Sequence, residues 1–276
     1  MTETYSGELT DEAKLALAQY FPLIHLWRQR MESGSTVPAA GSSLAEDDEV
    51  THPYLLSQVA DGQLVSATDH WDALRTLLQD SHVVHARAPF TLLRAAIENS
   101  ATAVWLLAPA DRGERVLRRL RLEWKNFADQ ENAEQLIAGE PWTSRVDRKT
   151  QLQRIARDSG LTEEMVSQVA SSPVAFRTVV RTAAAEAPRC GITDVQAEYC
   201  WMAASGIAHA QRWAVMSSDV LQRRAVPGAP EGSIRLALSI SEEALIGIAR
   251  VGYAITMEGW RLLTEGCRGR VVPPGA

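Results

Sequence analysis

Along most of the chain apolar residues recur at intervals of three and four, the spacing of one face of a helix. Residues 11–32 carry Leu15, Leu17, Leu23, Ile24 and Trp27 in this pattern, and Pro22 predicts a bend within it. A second helix is expected over 54–80, with an interruption near Gly62. The stretch 89–109, PFTLLRAAIENSATAVWLLAP, is apolar all the way round. Leu93, Ala96, Ile97, Val104 and Leu107 fall on one side of it, and Ala95, Ala101, Trp105 and Leu106 on the other. A helix with no polar face belongs at the centre of a bundle, and Pro89 suits its first turn, where the missing N–H has no intrahelical partner to lose.

Polar punctuation sets the remaining boundaries. Asp111-Arg-Gly-Glu114 reads as a capping box opening a helix to about 138, on which Arg115, Arg118, Arg119 and Arg121, then Glu123 and Asn126, read as a solvated face laced with i,i+4 pairs. Shorter helices are expected over 142–158 and, starting at Thr162, over 161–169. Ser172-Pro173 opens another to about 187, and Thr193-Asp-Val-Gln196 opens a long one to about 222. A Gly/Pro loop at 226–233 precedes 234–240, an alternating run that is a strand or merely extended. Ser239-Ile-Ser-Glu242 then caps a final helix ending near Gly266. Residues 33–52, with small residues, Pro and an acidic run, form the clearest linker or mobile loop. No period of about 20–50 residues recurs, so a solenoid is not indicated. The expected fold is all-α, a helical bundle of seven to nine helices, with residues 1–53 as N-terminal helix and acidic linker and 54–276 as the main domain, the N-terminal helix packing with it.

Composition narrows the function classes. At 276 residues, 46% hydrophobic and 22% charged, the chain is that of an ordinary globular protein. A net charge of -6 supplies no general field for nucleic acid, which leaves a local basic groove as the only route to it. The 28 basic residues include only three lysines, Lys14, Lys125 and Lys149, a bias of GC-rich, actinobacterial-type genomes. Cys190, Cys200 and Cys267 are odd in number and widely spaced, which suggests neither a disulfide framework nor a thiolate zinc site. The stretch MTETYSGELTDEAK has no apolar signal core, and no uncharged run reaches the roughly 18 residues that span a bilayer. A cytoplasmic protein without a membrane role is expected.

The candidate chemistry begins inside the apolar helix, where Arg94 and Glu98 lie one turn apart. Each would cost several kcal/mol in a core unless paired, so at roughly 5 Å between β-carbons they are expected to pair with each other. Downstream, Trp201, Ser205, His209 and Trp213 recur every four residues and form one helical stripe, with Ala203, Ala204, Gly206 and Ala208 small enough to admit another helix. Arg94, Glu98, Ser205 and His209 are therefore the candidate polar cluster, either a site or a structural network.

Arg94-x-x-x-Glu98 in a central helix, followed by an aromatic residue, Ser205 and His209 at intervals of four, resembles a group of bacterial helical-bundle proteins of unknown function related to the HEPN superfamily. The resemblance covers roughly residues 54–222 and implies a helical bundle, a homo-oligomer, and a non-catalytic or RNA- or stress-related binding role. HEPN ribonucleases carry Arg, four to six intervening residues and then His on the same helix. His209 has no arginine at that distance before it, while Arg75 and His82 fit the spacing formally.

A second reading is a metal-dependent enzyme in which His70, Glu98 and His209, from three core-facing helices, hold iron or zinc in the bundle core. No two of these ligands share a helix. A Ser205, His209 and Glu98 triad is weaker, because a mid-helix serine cannot present its oxygen as a strained turn does. The chain has no Walker loop, dinucleotide fingerprint or His-Glu-x-x-His. A third class, a partner-binding module, is suggested by the acidic loop and the arginine-rich helix. A small-molecule ligand is left unidentified.

Overall fold

A computed structural model describes residues 9–33, 36–80, 85–138, 145–171, 173–217, 221–227 and 235–269. Among them are twelve α-helices: α1 (Asp11–Ala18), α2 (Pro22–Glu32), α3 (Ser43–Thr51), α4 (Leu56–Arg75), α5 (Ala88–Leu107), α6 (Arg112–Ala138), α7 (Arg145–Asp158), α8 (Glu163–Gln168), α9 (Phe176–Glu186), α10 (Asp194–Ala208), α11 (Arg212–Met216) and α12 (Glu242–Cys267). A π-helical turn, Thr76–Asp80, extends α4, and a 3-10 turn, Pro188–Cys190, follows α9. The single sheet among the described residues is an antiparallel pair, β1 (Leu221–Val226) and β2 (Arg235–Ile240), with Leu221 opposite Ile240. The fold is helical, as the apolar spacing predicts, with more helices than seven to nine.

The extra helices arise where the chain breaks patterns that look continuous. Residues 11–32 are two helices rather than one bent at Pro22. α1 ends in a turn at Gln19–Phe21 and Pro22 starts α2, where its missing N–H leaves no helical bond unmade. The stretch 33–52 is not a linker throughout, since Ser42 accepts the Ala45 N–H and starts α3. Leu44 and Asp47 are buried there, so the acidic run belongs to a packed helix, with Asp47 turned inward. Gly62 causes no interruption of α4. The alternating run 234–240 is strand β2 over residues 235–240, and its partner occupies residues expected to lie partly in the preceding helix. Ser241, rather than Ser239, caps α12 by accepting the Ala244 N–H.

α5 is the centre of the bundle, packed against α4, α12, α9 and α10. The main core joins its Phe90, Ile97 and Leu106 to Leu64 and Trp71 of α4 and to Ile255 and Trp260 of α12. Leu17, Ile24, Trp27 and Leu44 from the first three helices belong to the same core. α12 crosses α4 closely at Gly259, where a Cβ would come within 2.7 Å of Leu64 Cδ2. A second, smaller core forms between α6, α7 and α8 from Val116, Leu120, Leu152, Ile155 and Val166. No helix among the described residues is long and apolar enough to cross a membrane.

Candidate functional site

Arg94 and Glu98 pair as expected, Nη2 to Oε2 at 3.1 Å, but at a half-buried position. Their side chains retain 28% and 19% exposure, because the first half of α5 keeps one open face while residues 100–107 are buried all round. Trp201 of α10 donates its indole N–H to the same Glu98 oxygen at 3.1 Å, and the Arg94 guanidinium carbon lies 5.9 Å from its ring centre. One carboxylate oxygen thus forms an ion pair with Arg94 and accepts the indole N–H. Arg94 Nε is buried without a hydrogen-bond partner among the described residues. The stripe on α10 does meet the pair on α5, through Trp201.

The rest of the stripe does not follow. The expected helix over 193–222 starts with a complete capping box at Thr193 and Gln196 but ends at Ala208. Ala210 takes a left-handed conformation, φ 52°, its N–H bonds the Ile207 carbonyl, and the Gln211 N–H bonds the Gly206 carbonyl. This is the two-bond stop that usually carries glycine at the left-handed position. The chain then folds back, and α11 packs so closely that a Cβ on Gly206 would meet Ala214 Cβ at 2.6 Å. His209 is left exposed at the helix end, Ser205 is half-buried, and Trp213 is 47% exposed. The predicted cluster of Arg94, Glu98, Ser205 and His209 is therefore reduced to Arg94, Glu98 and Trp201. The small residues of the stripe serve the close packing of the fold-back.

Among the described residues no group of three or more His, Cys, Asp or Glu side chains is arranged to hold a metal, so His70, Glu98 and His209 are not brought together. Arg75 is bound to Asp72 and Asp80, and His82 lies outside the described residues. Burial pushes Cys200 and Cys267 up to about 11 and raises Cys190 as well. None of the three thiols is set up as a neutral-pH thiolate nucleophile.

The groups that sequence reasoning placed in solvent carry the densest buried charge. On α6, Val116, Leu117 and Leu120 face the smaller core, which turns Arg115, Arg118 and Arg119 to the opposite side, toward the main body. Arg118, 6% exposed, bonds both Glu186 oxygens at 2.6 and 2.7 Å, Glu114 at 2.6 Å and the Trp105 carbonyl at 2.8 Å. Arg115 grips both oxygens of Asp47, which is fully buried, at 2.7 and 3.0 Å. Arg119, 3% exposed, bonds Glu123 at 2.8 Å, and its Nη1 is buried without a partner among the described residues. The signal was present in the apolar triplet that fixes which side of α6 faces inward.

Among the clefts lined by described residues, two reach the surface beside charged side chains. One, about 420 Å³, lies between α2, the Pro188–Cys190 turn and the C-terminal half of α12 and is lined by Arg30, Arg189, Arg261 and Arg268 with Glu258 and Glu265. Both glutamates are held by Arg261, Glu258 through two bonds at 2.7 and 2.8 Å. Arg189 and Arg268 make no ion pair among the described residues. The other, about 400 Å³, lies between α4, α6 and α9 and has Arg119 in its lining.

Comparison with family models, with curated proteins and with solved structures finds no match to this chain.

Proposed function

We propose that this is a non-catalytic, HEPN-like binding protein that holds the phosphates of a single-stranded RNA in the arginine cleft. The observation that carries the reading is the charge balance of that cleft. Four arginines line it against two glutamates, and both glutamates are committed to Arg261, so Arg189 and Arg268 leave positive charge facing solvent in a chain whose net charge is -6. Arginine forks suit phosphate oxygens, and a local basic groove is the form in which an acidic protein can bind nucleic acid. No aromatic residue lines the cleft, which favours backbone contacts over base stacking and predicts little sequence preference. The arrangement of Glu98 supports binding over catalysis, since its carboxylate is already paired with Arg94 and accepts the Trp201 N–H.

Fluorescence anisotropy with a labelled single-stranded RNA tests the reading. Arg189→Glu combined with Arg268→Glu is expected to weaken binding at least tenfold at low salt, because each exposed substitution replaces an attraction by a repulsion. Equal binding by wild type and the double variant, or no binding by a folded wild type, would overturn it.

A further inference from the structure

The cleft between α4, α6 and α9 differs from the arginine cleft in every respect that sets ligand chemistry. Its charges alternate along α6: Arg119, Glu123, Lys125 and Asp129. They sum to zero and form two ion pairs, Arg119 with Glu123 at 2.8 Å and Lys125 with Asp129 at 2.5 Å. The opposite wall carries Val59 and Gln63 of α4 and Phe176 of α9, while Leu122 of α6 adds to its apolar part. Lys125 Nζ lies 5.2 Å from the centre of the Phe176 ring, so the charged and apolar parts adjoin.

One donor beside this cleft, the solvent-shielded Arg119 Nη1, has no partner among the described residues. Arg119 is among the least exposed charged residues described, and burying a guanidinium nitrogen without an acceptor costs about 1–3 kcal/mol. The side chain is fixed by Glu123 Oε2, by the Leu55 carbonyl at 3.3 Å and by the Tyr54 ring, 5.9 Å from its guanidinium carbon, so it cannot turn to find one. Above α4, a Cβ on Gly62 would meet nothing within 4 Å, which leaves open space over the cleft wall.

We propose that this cleft binds a small zwitterion, a molecule carrying a primary amine, a carboxylate and an apolar group, of which an α-amino acid with an apolar side chain is the simplest case. The carboxylate adds a second acceptor to Lys125, the ammonium adds a second donor to Glu123 and Asp129, and the side chain covers Val59, Leu122 and Phe176. Each ion pair is joined to a group of the opposite sign without being broken. A polyanion would meet Glu123 and Asp129, and an uncharged apolar molecule would bury four charges without offering any a partner, at a cost that excludes it. The volume lies within the ordinary range of about 300–1,000 Å³ for small-molecule pockets.

Isothermal titration calorimetry on the full chain tests this with leucine and phenylalanine against the same molecules lacking the amine, lacking the carboxylate, and against inorganic phosphate. The amino acids are expected to bind, and removal of either charged group to weaken binding by about tenfold or more, the worth of one charge-assisted contact. Gly62→Phe, whose side chain enters open space, is expected to abolish binding with an unchanged melting temperature. Lys125→Met, at a pair on the surface, should remove the preference for the amino acid over the bare amine. Equal binding of the single-charge analogues, undiminished binding to the Gly62→Phe protein, an unaltered preference in the Lys125→Met protein, or no binding by any zwitterion at millimolar concentration would each overturn the proposal. RNA binding at the arginine cleft is independent of all four outcomes.

Discussion

Ala210 holds a backbone conformation that costs an L-residue about 1–2 kcal/mol and a glycine almost nothing. Because glycine also loses about 0.5–1 kcal/mol through its freer unfolded chain, Ala210→Gly should be neutral to stabilising, by up to about 1 kcal/mol, in urea denaturation. A continuous helix through this position would instead lose stability on the same substitution. Asp61 on α4 makes a second residue-scale test. Burial raises its carboxyl above the ordinary value of 3.8, against the hydrogen bond from Thr36. A raised folded value favours the folded state below the unfolded pKa, and that contribution is lost as pH rises through the folded one. Asp61→Asn should therefore be more stable than wild type at neutral pH, with the gap closing below about pH 4. A gap that does not change with pH contradicts the assignment.

At the scale of elements, α3 is docked by ion pairs as much as by its single buried leucine. Asp47 has no exposure and is held by Arg115, with Arg112 at 3.4 Å. Removing it leaves a half-buried arginine uncompensated, so Asp47→Ala should cost about 3–5 kcal/mol in chemical denaturation, while Asp47→Ala with Arg115→Met should cost less than the two single changes summed. Additive costs would place Arg115 in solvent. Which elements were legible in the sequence follows the same physics. The all-round apolar run of α5, the proline at its start and the capping residues Thr162 and Thr193 act within one or two turns, and local signals of that kind survive tertiary packing. The fold-back at Ala210 was not legible, because alanine carries no sign of a left-handed stop and the four-residue stripe runs on through it. Nor was α3, whose acidic residues look solvated until the arginines of α6 are placed opposite them. Of the candidate site, Arg94 with Glu98 was readable as an i,i+4 pair, and its contact with Trp201 emerged from the stripe. His209 was lost with the helix that was expected to carry it inward.

On the scale of the whole molecule, two apolar cores share α6, one through its aliphatic side and the other through its arginines. This places the buried charge at the joint between them, and two clefts among the described residues differ in sign balance, one basic and one neutral. The central claim is that the basic cleft holds phosphates, and the salt dependence of RNA binding tests it most directly. For a single strand each phosphate contact contributes about 0.7 to the slope of log K against log salt. Arg189→Gln should therefore reduce the slope by about that amount and weaken binding at low salt, alike for RNAs of different sequence. A slope that stays the same after the substitution would contradict it.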